Sequence, residues 1–330
     1  MNQADLLRDV SCIAALDLPW NRLRNKRIFI TGATGFIGGY LAKALCQLNS
    51  WMSFEMSLGL FHRSDTSPPF TDPCVRWCEG EIADSFIPKD FYPDIIIHAA
   101  SPSNQRAIQS DPTSAVLCNI LATQYLLEQA RVNGACIMYF SSGEVYQRRS
   151  GQIVEEEPGI LVKNSMLSFY GSSKLAGELL CEKYRRKYKV DSRILRLFSV
   201  FGPGEPLTSG RCFTDFMRQI FEKQRIQVNG PGTQIRSYCY LSDFLSGLLY
   251  VLLKGEGTVY NAGNEDNTCT ILELARKMAL LHGGIEVVGP LSADIQTDSF
   301  VPDTTKLRQL GWKPQVNLQD CIKRCMDSYR

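Results

Sequence analysis

What the sequence lacks narrows it before any motif is read. No apolar run is long enough to span a bilayer: the longest, Leu248 to Leu253, falls far short of the roughly 20 residues a membrane helix needs. Neither sign of charge dominates. The 36 Lys and Arg against 34 Asp and Glu leave +2, which is no footprint for nucleic acid. Histidine is scarce: His62, His98 and His282 stand far apart. The 12 cysteines contain no C-x-x-C, and the nearest pairs are Cys74/Cys78 and Cys321/Cys325. That pattern points away from zinc, and the cysteines read as buried, reduced thiols. There is no internal repeat and no low-complexity stretch, and charges interrupt any signal-peptide core in Met1 to Asp9. The expectation is a soluble, cytoplasmic protein with no metal, no nucleic-acid partner and no membrane segment.

What remains is ordinary globular composition: 330 residues, 44% hydrophobic and 21% charged, enough for one large or two smaller cores. From residue 26 strands and helices alternate. Continuous apolar or β-branched runs predict strands at 27–31, 57–61, 75–78, 94–98, 136–141 and 192–198. Helical spacing lies between them, at 38–49, 112–133 and 168–188. Alternation of this kind predicts a doubly wound parallel α/β sheet, a Rossmann arrangement buried on both faces. After about residue 200 the pattern breaks at Gly202-Pro203-Gly204-Glu205-Pro206. A helix at 213–223, a short strand at 226–228 and a second Gly/Pro turn follow.

The expected organisation has three parts. Residues 1–25 form an N-terminal extension whose Leu6, Val10, Ile13 and Ala14 share one helical face, suited to packing on the body of the protein. Residues 26–200 form a dinucleotide-binding domain, with a return segment near 235–262. Residues 201–234 and 263–330 form a smaller mixed α/β domain closing over the C-terminal ends of the strands, where ligands bind in open α/β folds.

Gly32-Ala33-Thr34-Gly35-Phe36-Ile37-Gly38 joins the first strand to the first interior helix. A glycine turn at a helix N-terminus is where a dinucleotide diphosphate sits, facing backbone N–H groups and the positive end of the helix dipole. Tyr170-Gly171-Ser172-Ser173-Lys174 sets a phenol and an ammonium four residues apart on one helix face. A nearby cation favours the phenolate, which can exchange a proton with an alcohol while hydride leaves its carbon. Ser142, at a strand end running into Gly143-Glu144-Val145, could orient the reacting hydroxyl toward Tyr170.

Together these motifs resemble the extended short-chain dehydrogenase/reductases of the nucleotide-sugar epimerase/dehydratase family, over roughly residues 26–315. Asp94 to Ala100 is similar to the family's fourth strand, Asn119 to its structural asparagine, and Arg236 to Asp243 to its diphosphate-binding arginine segment. Tyr260-Asn261-Ala262-Gly263 and Leu310-Gly311-Trp312-Lys313-Pro314 resemble its C-terminal signatures.

The resemblance implies a transient 4-ketosugar, with Ser142, Glu144, Tyr170 and Lys174 catalytic. It places the cofactor on Gly32, Thr34, Gly35, Phe36, Ile37, Gly38, Arg63, Glu81, Ile82, Ala99, Ala100, Tyr170 and Lys174. It places a nucleotide-diphosphate sugar on Ser101, Ser142, Gly143, Ser199, Arg211 and Arg236. Glu144 stands where the decarboxylases and dehydratases of the family carry a glutamate, while Gly143 replaces the acidic aspartate of the dehydratases. His98-Ala99-Ala100-Ser101-Pro102 and Gly230 to Ser237 also look like the decarboxylase group. A UDP-uronate decarboxylase is therefore the leading expectation. A C4-epimerase and an NADPH-dependent 4-ketosugar reductase are the alternatives within the family, and a non-catalytic dinucleotide-binding regulator is the alternative outside enzymes.

The second strand, Leu58 to Arg63, lacks the terminal carboxylate that holds the NAD ribose, and Arg63 could accept a 2′-phosphate. NAD is the expected cofactor, with NADP left open. Glu81 replaces an aspartate near the adenine and Ser199 an asparagine near the substrate phosphates. Like many members, the chain is expected to dimerise through residues 168–188.

Overall fold

The computed structural model describes residues 3–329 apart from 64, 66, 83, 85, 103–107, 109, 147–150, 160–165 and 291–298, with residues 166–168 described in backbone only. Helix α1 (Gln3–Ala14) leads into strand β1 (Arg27–Thr31), helix α2 (Phe36–Met52), β2 (Ser57–Arg63), β3 (Val75–Gly80) and β4 (Ile95–His98). Then come α3 (Pro112–Val116), a π-helical stretch (Leu117–Ala122), α4 (Thr123–Asn133), β5 (Cys136–Ser142), β6 (Gln152–Ile153) and α5 (Met166–Tyr188). The expected 112–133 helix is thus continuous in space but widened by one π stretch. Strands β7 (Ser192–Leu197) and β8 (Val200–Phe201) precede α6 (Cys212–Lys223), β9 (Arg225–Gln227), β10 (Ile235–Ser237), β11 (Cys239–Tyr240) and α7 (Leu241–Lys254). The chain ends with β12 (Val259–Ala262), β13 (Thr268–Thr270), α8 (Ile271–Leu281), β14 (Glu286–Val288), β15 (Ser299–Pro302), α9 (Thr305–Gln309) and α10 (Leu318–Tyr329).

Seven strands form one sheet in the order β12-β7-β5-β4-β1-β2-β3. Every pairing in it is parallel. The order reverses between β1 and β4, where Thr31 is in register with His98, so the crevice of a doubly wound sheet opens at that point. Interior strands such as β1 and β4 bury nearly every residue, which is why they read as unbroken apolar runs. One face is covered by α1, α2 and α7, the other by α4 and α5.

Helix α7 explains the longest apolar run. Leu241 to Leu253 is buried on all sides, so the helix needs no polar face until Lys254. No helix among the described residues is long and apolar enough to cross a membrane. Val10 and Ile13 of α1 join the same core, with Leu6 and Ala14 against it. Asp9 on this helix accepts from Tyr40 Oη at 3.1 Å and pairs with Arg324 at 3.3 Å, tying α1 to α2 and to α10.

A second core gathers residues of α6, α8 and α10, among them Met217, Leu274 and Ile322. A four-stranded sheet, β13-β10-β15-β6, lies beside it. Strand β6 comes from the first half of the chain, and the return segment divides: β10 enters this small sheet and β12 the large one.

Candidate active site

The β1–α2 turn is built by close approach. Gly32 has φ +73, and a Cβ there would lie 2.8 Å from the Ala100 nitrogen on the neighbouring strand's extension. Only glycine lets the two backbones meet this way. Gly35 caps α2 without any side-chain hydrogen bond, so this 17-residue helix presents its N-terminus through backbone alone. Thr34 and Gly35 are exposed at the turn, and Ala99 and Ala100 are half-buried opposite them. Thr31 Oγ1 accepts from Ala100 N at 3.2 Å and lies 2.7 Å from His98 Nδ1, fixing the crevice floor. These residues fit a dinucleotide diphosphate: a glycine cradle that a Cβ would fill, at the positive end of a long helix.

At the rim of the sheet, Arg63 and Glu81 are exposed and Ile82 is buried. Arg63 pairs with Asp65 at 3.3 Å, so a carboxylate does stand near the end of β2, two residues beyond the strand. A search for an acidic residue within the strand misses it.

Deeper in the crevice, α5 presses against the turn after β5. A Cβ on Gly171 would lie 2.3 Å from the Glu144 carbonyl oxygen, so only glycine brings Tyr170 this close to the turn. There Tyr170 Oη shares hydrogen bonds with the Ser101 and Ser142 hydroxyls. Ser142 Oγ also accepts from Glu144 N at 3.2 Å, which fixes the turn and places Glu144 at the mouth of the cluster. Gly143 is closed by aromatic rings: a Cβ there would be 2.5 Å from Phe300 Cζ and 2.9 Å from Phe198 Cε1.

The expected lowering of the Tyr170 pKa is not found. Burial pushes the phenol up to about 12, outweighing the Ser101 and Ser142 hydrogen bonds and the nearby Arg211 charge, with Glu144 adding to the rise. Lys174 Nζ lies 6.0 Å from the Tyr170 ring centroid and donates to Phe140 O at 2.6 Å. Burial likewise brings the Lys174 ammonium down to about 7. The four-residue spacing put both groups on one face, but desolvation, which spacing cannot reveal, sets their protonation.

Behind this pair stands a network the sequence reading missed. Arg196 on β7 grips Glu178 on α5 through two bonds, 3.0 and 2.7 Å, with both side chains buried. Ser141 Oγ donates to Glu178, and Arg196 also donates to Tyr146 Oη at 2.6 Å, which donates to Asn261 Oδ1 at 2.8 Å. The signal was present, since Glu178 lies one turn beyond Lys174, but its partner is on a strand 18 residues further on. Asn119 from the π stretch donates to Ser173 Oγ at 2.9 Å and holds the opposite side of α5.

Beyond the cluster opens a cavity of about 420 Å³ whose lining includes Ser199, Arg211, Arg236, Gln227, Asn229 and Tyr238. Ser199 sits at φ +36, strained for a residue with a Cβ. Arg211 donates to Val200 O at 2.6 Å and pairs with Glu205 at 3.1 Å. Arg236 donates to Ile235 O at 2.8 Å, and its guanidinium lies 5.9 Å from the Phe300 ring centroid. Phe300 thus touches both the Gly143 turn and Arg236. Of the substrate positions expected from the sequence, Ser199, Arg211 and Arg236 line this cavity, while Ser101 and Ser142 stand beside Tyr170 and Gly143 lies in the adjoining turn.

Comparison with known proteins agrees with this geometry. Residues 28–263 match the model of the NAD dependent epimerase/dehydratase family, and the chain belongs to that family. It is 28% identical to UDP-glucuronic acid decarboxylase 5 of Arabidopsis thaliana, over 93% of this chain and 90% of that one. The UDP-glucuronic acid 4-epimerase of Bacillus cereus, solved with UDP-glucuronic acid and NAD, superposes with a TM-score of 0.76 at 25% identity, covering 92% of this chain and 98% of that one. The dTDP-glucose 4,6-dehydratase DesIV of Streptomyces venezuelae, solved with NAD, gives 0.78 at 25% identity, covering 92% and 97%. The chain is a nucleotide-sugar-modifying enzyme of this NAD-dependent class.

Proposed function

We propose that this enzyme converts a UDP-uronate by oxidation at C4 and loss of the C5 carboxylate, using tightly held NAD. The observation that carries the reading is the turn 142–145. It sets Glu144 beside Tyr170 while Phe300 and Phe198 fill the space a side chain at 143 would need. A dehydratase-like acid cannot be accommodated there, whereas a carboxylate-bearing sugar fits a site with one glutamate and two arginines. The relatives named as UDP-glucuronic acid decarboxylases point the same way.

NAD held on the Gly32–Gly38 turn and beside Tyr170 and Lys174 would supply reversible hydride acceptance at the sugar's C4. Tyr170 Oη takes the C4 hydroxyl proton and later gives it back, with Ser142 and Ser101 fixing the direction of that hydroxyl. A positive charge brought close to the phenol offsets the burial that now holds it near 12. Lys174 contributes through its charge and its anchorage to Phe140 O. Glu144 manages the proton at C5. Arg236 and Arg211 hold the nucleotide diphosphate by charge-assisted bonds. Asp65 beside Arg63 disfavours a 2′-phosphate, in keeping with NAD rather than NADP.

The second core, outside the seven-stranded sheet, serves as the sugar-nucleotide unit. Leu121, Val132 and Leu179 expose apolar side chains on the π–α4 and α5 helices, which suits a homodimer; sedimentation should report twice the chain mass. The decisive assay incubates the purified protein with UDP-glucuronate and no added cofactor, and follows the product by mass spectrometry. Loss of carbon dioxide is expected, and Glu144→Gln should lose that turnover while keeping NAD. Inversion at C4 without mass loss would replace this reading with epimerisation.

A further inference from the structure

Far from the crevice, tertiary folding gathers three metal-ligating groups that lie apart in the sequence. Cys46 is on the buried side of α2, while Asp72 and Cys74 sit in the turn leading into β3, the edge strand of the large sheet. Their ligand atoms all lie within 4.8 Å of one another. The two sulfurs are 3.7 Å apart. A disulfide needs about 2.05 Å. Two thiolates on one tetrahedral zinc, each at about 2.3 Å, stand roughly 3.8 Å apart. The sulfurs are thus already spaced as two corners of a tetrahedron.

The turn is ordered around them. Cys74 N donates to Asp72 Oδ1 at 3.0 Å, Val75 N to Asp72 O at 3.0 Å, and Leu58 N to Cys74 O at 2.8 Å. Asn49, one turn after Cys46, is locked by two bonds to the Met56 backbone. Cys46 is buried, whereas Asp72 and Cys74 are only half-buried, so solvent reaches one side.

We propose that Cys46, Cys74 and Asp72 form a structural site for a thiophilic divalent cation of the zinc class, with water as fourth ligand. Two metal–sulfur bonds and one metal–oxygen bond form. Each S–H bond broken sends its proton to solvent, and no electron moves. The cation would staple the edge strand to α2, whose N-terminus cradles the cofactor roughly 15 Å away along the helix axis. This site is independent of the sugar chemistry. It also departs from the metal-free expectation, because the cysteine spacing that expectation weighed cannot show a pair 28 residues apart.

The test uses the full reduced chain and Cd²⁺, followed by the thiolate-to-metal charge-transfer absorption, with Zn²⁺ displacing Cd²⁺ as a check. One cation per chain is expected, with proton release and a higher melting temperature. Cys74→Ser, at the half-buried position, should lose the absorption and the thermal shift while its apo form melts like the apo parent. Asp72→Asn should weaken binding roughly tenfold. Absorption that survives in Cys74→Ser, no uptake by the parent, or uptake without any thermal shift would overturn the proposal.

Discussion

The Tyr170 cluster and the arginine cavity lie side by side and are built on opposite principles. Around Tyr170 nearly every polar group is buried and bonded to the fold: Lys174 to Phe140 O, Glu178 to Arg196, Asn119 to Ser173. In the cavity, Arg211 and Arg236 are half-buried: Arg211 donates to Val200 O and pairs with Glu205, and Arg236 donates to Ile235 O. The first region fixes protonation states by excluding water and pays for it with a buried ion pair. The second keeps its charges near solvent, where an anionic ligand can meet them. Proton transfer needs geometry held before substrate arrives, whereas recognition needs charges that a ligand can reach from solvent.

Substitutions can separate the two regions. Tyr170→Phe should lower kcat by about 10² to 10⁴, the usual contribution of a proton-transfer group, with NAD and UDP-sugar affinity retained. Steady-state and equilibrium binding measurements together check this, and normal turnover would remove Tyr170 from the reaction. Arg196→Met leaves Glu178 buried and unpaired, so urea unfolding should show a loss of about 3–5 kcal/mol. A loss below 1 kcal/mol would mean that the network does not anchor α5. Arg236→Ala should raise KM about 10- to 100-fold with kcat little changed, the reverse of the Tyr170 signature. A fall in kcat alone would merge the two regions into one.

Gly143→Ala tests the ring contact between them. The added Cβ would meet Phe300 and Phe198, and overpacking of this kind costs about 1–3 kcal/mol. An unchanged melting temperature would show that the rings yield, and would weaken the case against a dehydratase-like side chain there. The last effect is a slope. Burial, with the Lys174 charge, takes His98 down from 6.5 to about 3. Between those values the unfolded imidazole holds a proton that the folded one lacks, so stability falls as pH falls. The contribution is about 1.4 kcal/mol per pH unit below 6.5. His98→Gln should flatten the acid limb of the stability curve, and an identical limb in both proteins would refute the assignment.

The same contrast governs what could be read in advance. Parallel strands, the glycine turn and the Tyr–Lys face were legible because each depends on neighbours within a few residues, through strand burial, a left-handed glycine and the helical repeat. So was the face of α1, whose Val10 and Ile13 reach the core as its spacing predicts. Arg196 falls within the predicted strand 192–198, but its pairing with Glu178 joins a strand to a helix and has no local signature, and the pairing of Asp65 with Arg63 lies beyond the strand end.

By itself, then, the sequence determined the doubly wound sheet, the order of its elements and the identity of the residues at the end of the crevice. Tertiary structure alone decided their state. It buried Tyr170 until its phenol holds its proton to about 12, and brought Lys174 down to about 7. It closed position 143 with Phe300 from a strand more than 150 residues away, and set Cys46 against Cys74. The physical reason is that local periodicity fixes direction, while desolvation and long-range contact fix energy, and these depend on which distant elements pack together.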